Sequence, residues 1–232
     1  MSSVSSRVRF VKPNVEEIRR VFGGYNFNLL GVAGENTKRP TTPGPNGQLV
    51  NGDNGDPATC LTFDDAAKHV EEANGLNVVL TGSNLTVIDI DGRIAASHLG
   101  VKELIAESED WYWERSAGGN GIHGWGIGKR PADVHRAKIK AQHAGVGIEV
   151  YDGRDVKSMS VTGDWLGGSE ELLRVELHDD LRVLSRITED RRVKDWIDLR
   201  SREGNSEDDM RAACFLARHI RHPYDLETFM RR

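Results

Sequence analysis

Apolar residues recur along this chain with two periods, and each period predicts a different kind of element. Helical spacing predicts helices over Val15–Phe22, over 97–109, and from the capping box at Thr62 to Gly75. Alternating or continuous runs of β-branched and aromatic residues predict strands. These strands cover 27–32, 76–81, 85–90, 111–113, 123–128, 146–151 and 157–161.

Glycine, proline and asparagine mark the connections between these elements. They dominate segment 35–57, where there is little to bury, so we expect a long surface loop there. The tight turn 82–84 predicts that the strands on either side of it form a hairpin. Segment 116–123 is a glycine-rich turn before a strand. Such a turn is typical of a flexible loop, but its backbone N–H groups can also approach an anion closely.

The pattern changes after residue 168, where apolar residues take a helical spacing among many charges. Helices are expected at 169–175, 181–187, 193–199, 206–220 and 223–230. We therefore expect an α/β (α+β) domain over residues 1–175 and a small helical unit over 176–232.

Composition narrows the class of protein. The 232 residues are 38% hydrophobic and 29% charged, which is typical of a globular protein. No apolar run is long enough to cross a bilayer, so no membrane partner is expected. Cys60 and Cys214 are far apart and lack metal-site spacing. We interpret both as reduced packing residues and expect a cytoplasmic protein.

Charge is uneven along the chain. The formal net charge of -5 is not that of a typical nucleic-acid-binding protein, but the local field decides what a surface attracts. Arg136, Lys138 and Lys140 lie in a strongly basic segment that also contains Lys129 and Arg130. A solvated loop is the simpler interpretation of this segment.

Asp89 and Asp91 are the first candidates for chemistry. On the strand predicted there they point to one face, about 6–7 Å apart along the chain. Two carboxylates so close repel each other, and hard oxygen ligands select Mg²⁺ or Mn²⁺. An ordinary strand end with two solvated aspartates would show the same pattern. The aromatic run 111–113 could likewise be core or a base-stacking platform, and core is favoured.

Five motifs occur in an order that resembles the primase–polymerase domain of the archaeo-eukaryotic primase superfamily, in its phage and plasmid form. They begin at Cys60 (Cys-Leu-Thr-Phe-Asp-Asp-Ala), Val87 (Val-Ile-Asp-Ile-Asp-Gly), Ser116 (Ser-Ala-Gly-Gly-Asn-Gly-Ile-His), Gly147 (Gly-Ile-Glu-Val-Tyr) and Ser160 (Ser-Val-Thr-Gly). The resemblance covers about residues 36–168. Gly118 stands where family members carry serine, and Ser116 stands two residues earlier.

The resemblance implies a primase-like catalytic core with an RRM-like antiparallel sheet, its site in a cleft. It implies that Asp89, Asp91 and Glu149 are catalytic and bind two Mg²⁺ or Mn²⁺ ions, and that His123 acts beside them. Nucleotide phosphates would be bound by Ser116, Gly118, Gly119, Asn120, His123 and Lys157. Template DNA would be bound by Arg136, Lys138 and Lys140.

The function implied is that of a DNA primase and DNA-directed DNA polymerase. It would transfer a nucleotide from a nucleoside triphosphate to a 3′-hydroxyl on a single-stranded DNA template. The tail resembles the helical unit that follows such domains, often continuing into a replicative helicase, which would be a partner. Two alternatives stay open: a metal-dependent nuclease, and a catalytically weak primase-like module that binds single-stranded DNA.

Overall fold

The computed structural model describes residues 10–35, 37–54, 56, 59–92, 99–130, 138–141 and 146–175. All of them belong to the first of two units into which the chain divides, Met1–Leu184. The expected helical unit 176–232 lies outside the described residues, so the boundary near residue 176 stays a prediction. No helix in the described ranges has the length and apolar character needed to cross a bilayer.

The described chain is a mixed α/β fold with three helices and eleven strands. The helices are α1 (Val15–Phe22), α2 (Phe63–Ala67) and α3 (Leu99–Glu107). The strands are β1 (Phe27–Leu30), β2 (Pro40–Pro43), β3 (Leu49–Asn51), β4 (Leu76–Val79), β5 (Leu85–Gly92), β6 (Tyr112–Arg115), β7 (Ile122–Ile127), β8 (Lys138–Ala141), β9 (Val146–Asp152), β10 (Ser158–Val161) and β11 (Trp165–Gly168).

Side-chain caps begin α1 and α2. The Asn14 side chain accepts from the Glu17 N–H at 3.2 Å and begins α1. Thr62 accepts from the Asp65 N–H at 3.2 Å and begins α2, as its capping box predicts. The helix ends at Ala67, however, well before the Gly75 expected.

The strands form two antiparallel sheets. The first has the order β10-β4-β1-β2-β3, and the second has the order β11-β6-β7-β5-β9-β8. The chain passes from β9 in the second sheet to β10 in the first and back to β11 in the second. A mixed α/β fold with antiparallel sheets was expected from the sequence, and it is observed.

Three local expectations are wrong. Strands β4 and β5 do not form a hairpin: β4 pairs with β1 and β10, and β5 pairs with β7 and β9. A turn sequence sets local geometry, but the competing strands decide the pairing. Segment 35–57 is not all loop, because β2 pairs with β1 and with β3. Residues 169–175 are not helical, and Arg174 instead bridges Ile127.

Strand β5 separates two apolar clusters by its alternation. Leu85 and Val87 face the first cluster, which contains residues of α1, of α2 and of strands from both sheets. Ile88 and Ile90 face the second cluster, which contains residues of α3. The aromatics 111–113 are buried in these clusters, which confirms the core interpretation. Asp89 and Asp91 follow Val87 with period two, so their side chains lie on the face of β5 that contacts the first cluster.

Candidate active site

One register row crosses the centre of the second sheet and collects four ionisable residues. Asp89 of β5 is paired directly with His123 of β7 on one side and with Glu149 of β9 on the other. Glu114 of β6 is paired with His123. Residues directly paired in antiparallel strands share a face and have Cα atoms about 4.5–5.5 Å apart. We call Glu114, His123, Asp89 and Glu149 the acidic row.

His123 is buried between two carboxylates. Its Nε2 lies 3.5 Å from Asp89 Oδ1, and its Nδ1 lies 3.8 Å from Glu114 Oε1. Burial by itself would lower the pKa of His123, but the two carboxylates outweigh burial and raise it to about 9. The imidazole is therefore a cation at neutral pH, so one member of the acidic row is positively charged.

Glu114 is a residue that the sequence analysis missed, and it fixes this end of the row. It is fully buried, and its Oε1 accepts from Trp125 Nε1 at 3.0 Å. Its Oε2 accepts from the N–H groups of Thr162 and Gly163 at 3.0 and 2.8 Å. The Val-Thr-Gly motif thus anchors the carboxylate beside His123. A lone glutamate alternating with buried aromatics in 112–114 was the available signal.

Asp89 carries an open acceptor. The residue is 7% exposed, and its Oδ1 has no hydrogen-bond partner among the described residues, although His123 lies 3.5 Å away. Burial would raise the pKa of Asp89, but His123, Lys157 and Lys38 outweigh burial and lower it. Asp89 is therefore ionised while retaining unused hydrogen-bonding capacity in a buried position.

Asp91 lies one pleat further along β5, beside the glycine-rich turn. The residue is exposed, yet protein atoms crowd its carboxyl, and this desolvation together with the charge of Asp89 raises its pKa. A Cβ on Gly121 would stand 3.2 Å from Asp91 Oδ1 and 2.9 Å from Ser116 Oγ, so this close approach requires glycine. Glu149, opposite Asp89, accepts a hydrogen bond from the Tyr151 hydroxyl.

The glycine-rich turn is ordered by its own hydrogen bonds. Ser116 Oγ accepts from the Gly121 N–H at 3.1 Å, and Ser116 O accepts from the Gly119 N–H at 2.9 Å. Gly119 has φ +80°, a conformation that glycine adopts without strain. Asn120 is exposed at the tip of the turn. The predicted nucleotide-binding residues of this turn are thus close to Asp91.

Two lysines bring positive charge from outside the second sheet. Lys157, just before β10, places its Nζ 3.4 Å from the centroid of the Tyr151 ring. Burial lowers the pKa of Lys157, against the opposing charges of Asp89, Glu149 and Asp91. Lys38, in the connection between β1 and β2, has its Nζ 3.3 Å from the point where a Cβ on Gly118 would stand. The sequence analysis missed Lys38, which no local pattern distinguishes.

The predicted DNA-binding residues are only partly described. Arg136 lies outside the described residues. In the register, Lys138 of β8 is opposite Glu149, and Lys140 is opposite Gly147. The solvated-loop interpretation of the basic segment fails for Arg130, which is 7% exposed and ion-paired with Asp155 at 2.9 Å.

The carboxylates and the imidazole of the site are candidate metal ligands. In the described part of the chain, no three His, Cys, Asp or Glu side chains are close enough together to hold one ion as they stand. The Tyr151 hydroxyl occupies one oxygen of Glu149, whereas the His123 imidazole lies 3.5 Å from Asp89 Oδ1 without forming a hydrogen bond to it. The oxygen donors, the unpartnered Asp89 Oδ1 and the raised pKa of Asp91 nevertheless fit a hard divalent cation.

A scan against protein-family models matched none, and a search of curated proteins found none with significant similarity.

Proposed function

We propose that this chain is a template-directed nucleotidyltransferase, a DNA primase and polymerase with a primase-like core. The observation that carries the proposal is the direct pairing of Asp89 with both His123 and Glu149 across three adjacent strands. Residues from three separate motifs of the resemblance meet in that one row. Chance matches of short motifs give no reason for such a meeting.

Each residue of the site has a role in the proposed reaction. The 3′-oxygen of a primer loses its proton and bonds to the α-phosphorus of a nucleoside triphosphate, and pyrophosphate leaves. Negative charge gathers on the phosphate oxygens as this happens. His123, which is cationic, and Lys157 would offset that charge, and the N–H groups of the turn 118–120 would donate to phosphate oxygens.

The carboxylates of Asp89, Asp91 and Glu149 suit divalent cations. The resemblance implies two Mg²⁺ or Mn²⁺ ions, which Asp89, Asp91 and Glu149 would hold, and bound ions would neutralise charge on the attacking and leaving oxygens. Asp89 supports this role through its unpartnered, ionised and buried oxygen. Lys38 would add positive charge on the side of the glycine-rich turn.

Template binding would involve the basic edge of the second sheet. Lys138 and Lys140 are carried by the edge strand β8, in register with Glu149 and Gly147. Basic residues at the edge of the site could contact template phosphates, which supply most of the affinity in DNA binding. A helicase partner and the helical unit 176–232 rest on the resemblance alone.

Binding of single-stranded DNA without chemistry is the second candidate function. The pairing of Asp89 with His123 favours it, because a carboxylate already neutralised by an imidazolium gains less from a cation. The same pairing is compatible with catalysis if the imidazolium turns to phosphate when nucleotide binds.

An incorporation assay tests the proposal. Primed and unprimed single-stranded DNA are incubated with dNTPs or NTPs and with Mg²⁺ or Mn²⁺, and product length is measured. We expect extension by wild-type protein, none by Glu149→Gln, and full activity of the control Glu71→Gln, a surface carboxylate paired with exposed Lys12. DNA binding without extension by wild-type protein would support the second candidate. Release of nucleotides without added dNTPs would support a nuclease.

A further inference from the structure

Tyr151 joins the carboxylate side of the site to its cationic side. It follows Glu149 by two residues in β9, so both side chains lie on one face of the strand. Its hydroxyl donates a hydrogen bond to Glu149 Oε2. The Lys157 Nζ lies 3.4 Å from the centroid of its ring. One side chain therefore contacts a predicted metal ligand with its polar end and a predicted phosphate ligand with its aromatic face.

The contact also connects the two sheets. Lys157 is attached to the end of the first sheet, because its carbonyl accepts from the Leu80 N–H at 2.9 Å and its N–H donates to Thr81 Oγ1 at 3.2 Å. Tyr151 belongs to the second sheet, where it is paired with Val87. The contact between the ammonium and the ring therefore links the two sheets one pleat away from the acidic row.

A tyrosine suits this position better than a direct ion pair would. An ammonium held on a ring face is attracted by the aromatic quadrupole but keeps its formal charge and its N–H donors. A phenol that donates to a carboxylate orients it without neutralising its charge. Direct pairing of Lys157 with Glu149 would instead neutralise both groups.

We propose that Tyr151 is a positioning residue that fixes the Glu149 carboxylate through its hydroxyl and the Lys157 ammonium through its ring. The assignment rests on the proposed function, in which Glu149 binds a divalent cation and Lys157 binds phosphate. The hydroxyl of Tyr151 thus serves metal binding through Glu149, and its ring serves phosphate binding through Lys157. Two substitutions therefore separate them: Tyr151→Phe removes the hydroxyl alone, and Tyr151→Leu removes the hydroxyl and the ring.

Binding measurements test the assignment without any turnover. Mn²⁺ affinity is measured by electron paramagnetic resonance, and affinity for inorganic tripolyphosphate by calorimetry without metal. We expect Tyr151→Phe to weaken Mn²⁺ binding about tenfold, as loss of a hydrogen bond to a charged group does, with tripolyphosphate binding unchanged. We expect Tyr151→Leu to weaken Mn²⁺ binding equally and tripolyphosphate binding roughly fivefold.

Tyr25→Phe is the matched control, because the Tyr25 hydroxyl donates to Asn84 Oδ1 at 3.1 Å outside the site. It should change neither affinity. If Tyr151 had only a structural role, Tyr151→Phe and Tyr151→Leu would each change the Mn²⁺ and tripolyphosphate affinities together or leave both unchanged. Unchanged or tighter Mn²⁺ binding by Tyr151→Phe would overturn the assignment while leaving the proposed function intact. Wild-type protein that binds neither probe would overturn both.

A spectroscopic measurement keeps the proposal testable if Tyr151→Leu does not fold. A lysine ε-methylene on a ring face experiences an upfield ring-current shift, which heteronuclear NMR of wild-type protein would detect for Lys157, assigned by Lys157→Arg. Tyr151→Phe should retain this shift, because it retains the ring. An unshifted Lys157 resonance in wild-type protein would overturn the assignment.

Discussion

Two groups of charged side chains on the second sheet contrast in how their charges are satisfied. The acidic row contains one cation, His123, which lies between Asp89 and Glu114 at 3.5 and 3.8 Å. The second group, which we call the arginine cluster, contains Arg130, Asp152, Arg154 and Asp155. There the Arg130 guanidinium lies 2.9 Å from Asp155, and Arg154 lies 2.5 Å from Asp152.

Hydrogen bonding shows the same contrast. Asp152 Oδ2 accepts from the Arg130 N–H at 2.8 Å, and Asp155 Oδ2 accepts from the Asp152 N–H at 2.9 Å. Among the described residues, buried atoms without a hydrogen-bond partner include Asp89 Oδ1 and His123 Nδ1 in the acidic row and Arg130 Nε in the arginine cluster, so the contrast lies in the carboxylates. Guanidinium forks and backbone donors stabilise a carboxylate within the fold, whereas an open acceptor is available to a ligand. The second sheet thus carries a row suited to binding, and the loops that follow β7 and β9 hold most of a cluster suited to stability.

The largest effect on activity should come from removing one carboxylate of the acidic row. We expect Asp89→Ala to lower nucleotide incorporation by roughly a thousandfold or more, since it removes a ligand for the charge-neutralising cations. The metal-free free energy of unfolding should fall by about 1–3 kcal/mol, because the buried His123 imidazolium loses one of its two carboxylates, but the fold should be retained since Glu114 still faces that imidazolium. Primer extension and chemical denaturation measure the two quantities. Full activity would refute the assignment of Asp89.

Removing the shared cation of the arginine cluster should instead affect stability most and leave activity unchanged. We expect Arg130→Met to lower the free energy of unfolding by about 3–5 kcal/mol, because two buried carboxylates lose a shared cation. Incorporation per folded molecule should be retained. Arg19→Met is the matched control, because the Arg19–Asp64 pair at 2.8 Å is exposed and should contribute far less. Equal losses in the two variants would contradict the contrast.

Acid should weaken the arginine cluster in a defined range. Burial would raise the pKa of Asp152, but hydrogen bonds from Arg154 and Arg130 outweigh it and lower the pKa to about 2. A lowered pKa stabilises the fold above about pH 4, by up to about 2 kcal/mol, and this is lost as pH falls toward 2. Asp152→Asn should therefore be less stable at pH 7 and approach wild type in acid. A difference from wild type that does not change with pH would contradict this assignment.

His123 should matter for nucleotide affinity more than for the chemical step. We expect His123→Ala to raise the KM for dNTP about tenfold, as loss of a charged hydrogen-bond donor does, with a smaller change in kcat. Steady-state kinetics on a primed template measure both constants. Unchanged values of KM and kcat would remove His123 from the site.

The smallest effect should have an unusual sign. Crowding and the charge of Asp89 raise the pKa of Asp91, so its ionised form destabilises the fold once pH rises above that pKa. Asp91→Asn should therefore raise the free energy of unfolding slightly, by less than about 1 kcal/mol, at pH 7 without metal. Thermal unfolding in chelator is the measurement. A variant less stable than wild type would show that Asp91 is already satisfied within the fold.

Part of the fold and site could be predicted from local pattern. Period-two alternation placed Asp89 and Asp91 on one face of a strand and Ile88 and Ile90 on the other, as observed. Helical spacing located α1, and the capping box at Thr62 located the start of α2. These features depend on a few neighbouring residues, so neighbouring residues suffice to predict them.

The sequence by itself therefore determined which face each side chain of β5 takes and where the short helices begin. Only the tertiary structure decided which strands meet. It separated β4 from β5, set Glu149 opposite Asp89, and brought Glu114 and Lys38 to the site. The physical reason is that alternation specifies a face but not a partner. Strand pairing is chosen by apolar burial summed over distant segments, which no local pattern encodes.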